Sequence, residues 1–241
     1  MLFRSILVLV NIEETLPDYN NNKCIRNEEK SEGGNVFTVL LNRPHILIFL
    51  IINVFLSFNC TQIVFSLPIM LDHVFGSSGA RYYGILISFN AMTVLIMTIF
   101  VTNKIRKWHP LTSIAISGLL YAIGFGMITF ISSMPMYILS TFICTIGEIM
   151  IAVNFGVYIA NNTPQNFRAR FNAVSSLSYA LGAALGTSLM GKYMDALGVQ
   201  AVWPLIFFLG LFGAAAMYIL KIKTQCSLET KIHSNKFNDE V

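Results

Sequence analysis

Between positions 46 and 220 the chain alternates long apolar stretches with short polar connections, and six such stretches are readable: 46–71, 82–103, 111–131, 136–160, 171–191 and 199–220. Each reaches the roughly 20 residues that a helix needs to cross a hydrocarbon core of ~30 Å. Only one ionisable acid or base, Glu148, falls inside any of them. Lipid offers unpaired backbone groups no water, so runs of this length have to be helical even where β-branched residues are frequent. The pattern therefore predicts an all-α integral membrane unit of six transmembrane helices, with the lipid bilayer as its solvent.

The connections carry the polarity. Lys104, Arg106 and Lys107 follow the second stretch and Arg168 and Arg170 follow the fourth, whereas the opposite connections hold Arg81 and Lys192. Basic loops stay on the cytoplasmic side, and Arg43, Lys221 and Lys223 fall on that same side. The expectation is a multi-pass protein of the cell (plasma) membrane with both termini cytoplasmic. Composition agrees: 55% of positions are hydrophobic and 12% charged, about half the charge of a soluble domain. The net charge of +4 lies in these loops, where it sets topology and attracts anionic lipid, so no nucleic-acid partner is implied.

The segment before the first stretch divides in two. Positions 1–10 are apolar but too short to span, and Asn11-Ile12-Glu13-Glu14 follows where a signal peptide would extend its apolar core toward small residues. We read 1–10 as the remnant of a preceding helix and 11–45, polar and mixed in charge with Asn20-Asn21-Asn22 and Gly33-Gly34, as a cytoplasmic linker. The membrane domain then occupies 46–220 and a cytoplasmic tail 221–241.

Enzymatic chemistry finds little footing. Gly76-Ser77-Ser78-Gly79 has the GxSG form of an intramembrane serine nucleophile, but His45, His73, His109 and His233 all lie outside the apolar stretches, which leaves the serine without a base. A turn is the simpler reading. Cys60 and Cys144 sit in apolar stretches and Cys24 and Cys226 in the tails, with no CxxC or zinc spacing. Neither phosphate loop, dinucleotide fingerprint nor EF-hand occurs, so no metal and no cofactor are expected. Glu148 carries the most chemical weight, because a carboxylate near the bilayer centre costs roughly 2.5–3.5 kcal/mol on insertion scales and has to face protein or water. Such a group could exchange a proton in step with a conformational change, pair with a cationic substrate, or hydrogen-bond to a neighbouring helix. Thr141, Thr145 and Glu148 recur at spacings of four and three and share a face, with Gly147, Asn154 and Tyr158 on an adjoining stripe.

Tyr83-Gly84-Ile85-Leu86 with Asn90, and above all the stretch 147–197, resemble the major facilitator superfamily, the latter its tenth and eleventh helices. The likeness is greatest to the multidrug and drug:proton antiporter branch. Ile12-Glu13-Glu14-Thr15-Leu16-Pro17 is similar to the segment that often follows the sixth helix, so the resemblance covers nearly the whole chain and identifies it with the carboxyl-terminal six-helix half of a twelve-helix fold. It implies inverted three-helix repeats and a cavity between halves, lined by the first and fourth helices of each. Here those are 46–71, offering Asn53, Asn59, Thr61 and Gln62, and 136–160. Phe55, Phe58, Phe65 and Phe155 could stack on a planar or cationic ligand. Gly182, Gly186 and Gly191 resemble a glycine-rich antiporter motif, but Thr187 stands where that motif has proline, and packing is the expected role. Arg168-Ala169-Arg170 is similar to the family's Arg-Gly-Arg loop, and 103–108 keeps the basic charge of the signature loop without its acidic and glycine members.

The resemblance implies secondary active transport, namely proton-coupled efflux of small, drug-like or amphipathic compounds. It also implies a partner, either an amino-terminal transporter half or a second copy. The alternative is a truncated, non-transporting fragment or a half-transporter acting as a membrane interaction subunit. The helix stub at 1–10 favours truncation, since an independent half has no need of it.

Overall fold

A computed structural model describes residues 40, 41, 43–163 and 167–239, those from 226 onward by backbone alone. The expected helix remnant at 1–10 and most of the expected linker lie outside the described residues. Among the described residues from Pro44 onward seven α-helices follow one another: α1 (Pro44–Thr61), α2 (Ser66–Phe75), α3 (Gly79–Ile105), α4 (Pro110–Met127), α5 (Met134–Asn162), α6 (Arg168–Leu197) and α7 (Val202–Asp239). No strand occurs among the described residues. Proline marks several starts, within the first two positions of α1, α4 and α5, where its missing N–H is not needed and its fixed φ suits the first turn. Among the described residues five segments are long and apolar enough to cross a membrane: Pro44–Ile105, Pro110–Met127, Met134–Asn162, Arg168–Leu197 and Val199–Gln225.

The first of these, 62 residues long, contains both of the first two expected spans. Fully helical and straight it would reach about 93 Å, some three core thicknesses. Instead it turns back on itself at Gly76–Ser78, a single 3-10 turn. Gly76 ends α2 at a φ of 56°, a conformation that costs glycine nothing. Beyond the turn, Gly79 backs so closely onto α2 that a Cβ there would stand 2.5 Å from the Asp72 Cα, and the Phe75 and Tyr82 rings meet edge-on at 4.7 Å.

The expectation of one unbroken helix over 46–71 fails at residues 62–65. Pro68 supplies the reason. It has no N–H to give to the carbonyl of residue 64, and its ring presses on that carbonyl. The backbone answers with a wide turn, in which Leu67 N donates to Gln62 O at 2.9 Å, five residues back, and Ser66 N to the same oxygen at 3.1 Å. The backbone of α7 stays helical to Asp239, so the expected cytoplasmic tail at 221–241 continues the last helix as far as the chain is described.

Small residues set the packing. On α4 and α7, Gly118 lies under Ala214 and Gly210 under Ala122, each leaving only 3.0 Å for an added Cβ. Gly182 and Gly186 of α6 lie on the backbone of α1 around Val54 and Phe58. Lipid gives helices no hydrophobic drive to associate, so such close approach is how they gain contact. Two buried clusters result. One gathers Ile46, Phe49, Leu111, Tyr158 and Phe171 toward the end of the bundle that carries Arg43 and Arg168. The other gathers Leu71, Leu86, Phe125, Tyr137 and Trp203 toward the opposite end. Between them the middles of α1, α5 and α6 enclose a cavity.

Candidate functional site

Glu148 is the middle residue of α5, and its carboxyl group lines a cavity of about 490 Å³. Asn53, Ser57 and Cys60 face it from α1, Phe155 from α5, Tyr121 from α4, and Asn172, Ser175, Ser176 and Tyr179 from α6. Polar side chains thus reach the cavity from α1 and α6, aromatic rings from α4, α5 and α6, and Leu56, Ile151 and Ala152 complete an otherwise apolar lining around Glu148.

Behind Glu148 a short network fixes its position. Asn90 of α3 donates through Nδ2 to Glu148 Oε2 at 3.2 Å and to Thr145 Oγ1 at 2.8 Å, and Thr145 donates to Thr141 O at 2.7 Å. The shared face of Thr141, Thr145 and Glu148 is therefore turned partly toward α3. Asn90 reaches it because α3 packs along α5. A carboxylate in low dielectric needs such donors, and Asn90 offers one without adding charge.

The other residues singled out by sequence divide. Asn53 joins the cavity and ties α1 to α6 by donating to Ser178 Oγ at 2.9 Å. Gln62 does not reach the cavity. It is fully buried at the break in α1, donates to Phe58 O at 2.8 Å and Gly186 O at 3.4 Å, and accepts from Ser66 at 2.5 Å. Asn59 is fully buried, and its amide finds no hydrogen-bond partner among the described residues. Thr61 bonds back to Ser57 O and Asn154 to Met150 O, each within its own helix. Tyr158 packs against Phe49 with ring centroids 4.3 Å apart and the rings tilted at 38°, inside a buried cluster.

At the end carrying the basic loops, Arg43 Nη1 donates to Asn162 O at 2.7 Å and Arg168 Nη2 to Ala160 O at 3.2 Å. Two arginines from neighbouring helices thus hold the last carbonyls of α5, where cations complement the helix dipole. Arg170 lies over the Phe167 ring at 5.2 Å. Lys104, Arg106 and Lys107 are exposed at the end of α3. The three glycines differ among themselves. A Cβ at Gly182 would collide with the Val54 carbonyl and one at Gly186 would stand 3.0 Å from Gln62 Nε2, but at Gly191 it would find Phe65 at an ordinary 3.7 Å.

Sequence reasoning missed the α6 wall. Its signal was present: Asn172, Ser175, Ser176 and Tyr179 follow one another at three, one and three residues, a polar stripe on a helix whose neighbours are apolar. No group of three or more metal-ligating side chains occurs among the described residues.

A family model described as the Major Facilitator Superfamily matches residues 5–187. An "Uncharacterized MFS-type transporter YqjV" of Bacillus subtilis (strain 168) is 20% identical over 162 residues, which cover 66% of this chain and 39% of that protein. The chain thus spans about two fifths of the length of the curated relative it matches.

Proposed function

Because the chain belongs to the major facilitator superfamily, and is a multi-pass membrane protein of that transporter family rather than an enzyme, we propose that it forms the carboxyl-terminal half of a proton-coupled exporter. Its substrates are small, drug-like or amphipathic compounds. In this reading α1 with α2 makes one crossing and α3 the next, so that the five apolar segments amount to six crossings in two sets of three. The basic ends at Arg43, Lys104 to Lys107 and Arg168 to Arg170 face the cytoplasm, as do both termini, and the membrane is the plasma membrane. An amino-terminal half or a second copy closes the open side of the cavity.

The observation that carries this reading is Glu148, a mid-membrane carboxyl group on the wall of a cavity that also presents amides, hydroxyls and aromatic rings. Ionised, it attracts a cationic or amphipathic compound whose apolar body rests on Tyr121, Phe155 and Tyr179. Protonated, it loses that attraction, and the site changes the side to which it opens while electrically neutral. Asn90 holds the carboxyl in place through both states.

Efflux of a fluorescent lipophilic cation from proteoliposomes under an imposed pH gradient tests the assignment, with the chain present together with its partner half. Glu148→Gln keeps shape and hydrogen bonding but removes the titrating proton, and pH-driven efflux should fall by about tenfold or more. Unchanged pH-driven efflux in that variant would sink the proton-coupling role.

A further inference from the structure

A second cavity of about 610 Å³ lies on the other side of α1, in the gap between α6 and α7. The gap exists because α6 packs on α1 while α7 packs mainly on α4 and secondarily on α1, so the two helices diverge beyond the short turn that joins them. Val54, Phe55 and Phe58 form its floor. Leu185 and Leu189 stand on one wall and Leu205 and Leu209 on the other. Its single charged lining residue is Lys192, followed by Tyr193.

Three features narrow the occupant. Along α6 the groove runs from Leu185 to Ala196, about 16 Å at 1.5 Å per residue, which matches the depth of one leaflet, roughly half of a ~30 Å core. Leu185 is close to the midpoint of α6, which places Lys192 and Tyr193 some 14 Å from the centre, where headgroups begin and where such side chains settle. Apart from Lys192 and Tyr193 the lining is wholly apolar, which asks for an apolar occupant whose charge sits at one end. A single flexible hydrocarbon chain ending in an anionic group fits both the length and the charge.

We propose that this groove seats one phospholipid, with an acyl chain lying against Phe55 and Phe58 between α6 and α7 and its phosphate paired with Lys192. The site is separate from the Glu148 cavity and does not depend on what that cavity carries. It occupies the leaflet opposite the loops that hold Lys104 to Lys107. Phe55 and Phe58, which the sequence offered as ligand-stacking residues, thereby serve lipid instead.

The test uses the full chain in nanodiscs doped with phosphatidylglycerol that carries a photoactivatable diazirine on its acyl chain, followed by peptide mapping. Adducts are expected on Phe58, Leu189 and Met190 in excess over Leu95 and Phe100, which are exposed on α3 and serve as the reference for ordinary annular lipid. Lys192→Gln should lower groove labelling about fivefold relative to α3, the effect of one cation near a lipid phosphate. Leu189→Trp, which fills the groove and keeps Lys192, should lower it too. Labelling spread evenly over α3 and α6, or groove labelling that Lys192→Gln leaves unchanged, overturns the proposal. Should Leu189→Trp disturb the fold, the α3 pattern would change with it, and Lys192→Gln decides alone.

Discussion

At Gly182 the absence of one carbon decides how closely α6 approaches α1. A Cβ there would press on the Val54 carbonyl and come within 2.7 Å of the Ser57 Cβ, and backbone cannot step aside as a side chain can. Gly182→Ala should therefore destabilise the bundle by about 1–3 kcal/mol, the usual range for overpacking. Gly191→Ala, with Phe65 at 3.7 Å, should change stability little. Thermal unfolding midpoints of the two variants in detergent would separate them; equal losses would mean that the close approach is not what holds α6. The Asn53–Ser178 hydrogen bond crosses the same pair of helices. A double-mutant cycle with Asn53→Ala and Ser178→Ala should return a coupling of about 0.6 kcal/mol and no more than ~2, since the unfolded helices in a bilayer also find partners. No measurable coupling would assign Asn53 to the cavity alone. The sequence made both glycines legible as packing residues by their spacing, but it could not separate Gly191 from them, because clearance depends on which residue of α1 stands opposite.

Most helices were legible for one reason: long apolar runs have a single solution in lipid, and the prolines at the starts of α1, α4 and α5 fall where that solution tolerates them. The break at 62–65 was not read from the sequence: its one signal is Pro68, and hydropathy stays high across it. Apolar runs show where a chain is buried in lipid and say little about where its hydrogen bonds lapse. Pro68→Ala should let residue 68 donate to Val64 O and continue α1 into α2. Hydrogen exchange at 63–68 should slow, and the pull of Gln62 on Gly186 O should weaken as its backbone rotates. Exchange unchanged from the parent would show that Gln62 and its partners hold the break without proline. The candidate site was half legible for a similar reason. Glu148 announces itself as a lone charge, while Asn90 and the α6 stripe join it only through the way α3 and α6 lean on α5 and α1.

On the scale of the whole molecule the cavity is unevenly enclosed. Within the described residues α6 packs chiefly on α1 and α3 chiefly on α5 and α2, so both present long apolar flanks outward, including Leu95, Ile99 and Phe100 on α3 and Leu177 and Leu181 on α6. Either lipid or another helical body covers them, and the two cases differ at Cys60. This thiol is partly exposed and lines the cavity beside Tyr121 and Glu148, whereas Cys144 is buried against Gly124. With Cys24 and Cys226 replaced by serine, a small membrane-permeant maleimide should modify Cys60 and spare Cys144, which serves as the internal control for folding. If an amino-terminal half or second copy completes the site, its co-expression should slow that modification, and a lipophilic cation should slow it further. Glu148→Gln should abolish the cation's protection while leaving that of the partner intact, because the first needs the charge and the second only bulk. Cys60 modified at one rate in all these conditions would remove the cavity from any transport path, even though the chain's membership of the family would stand.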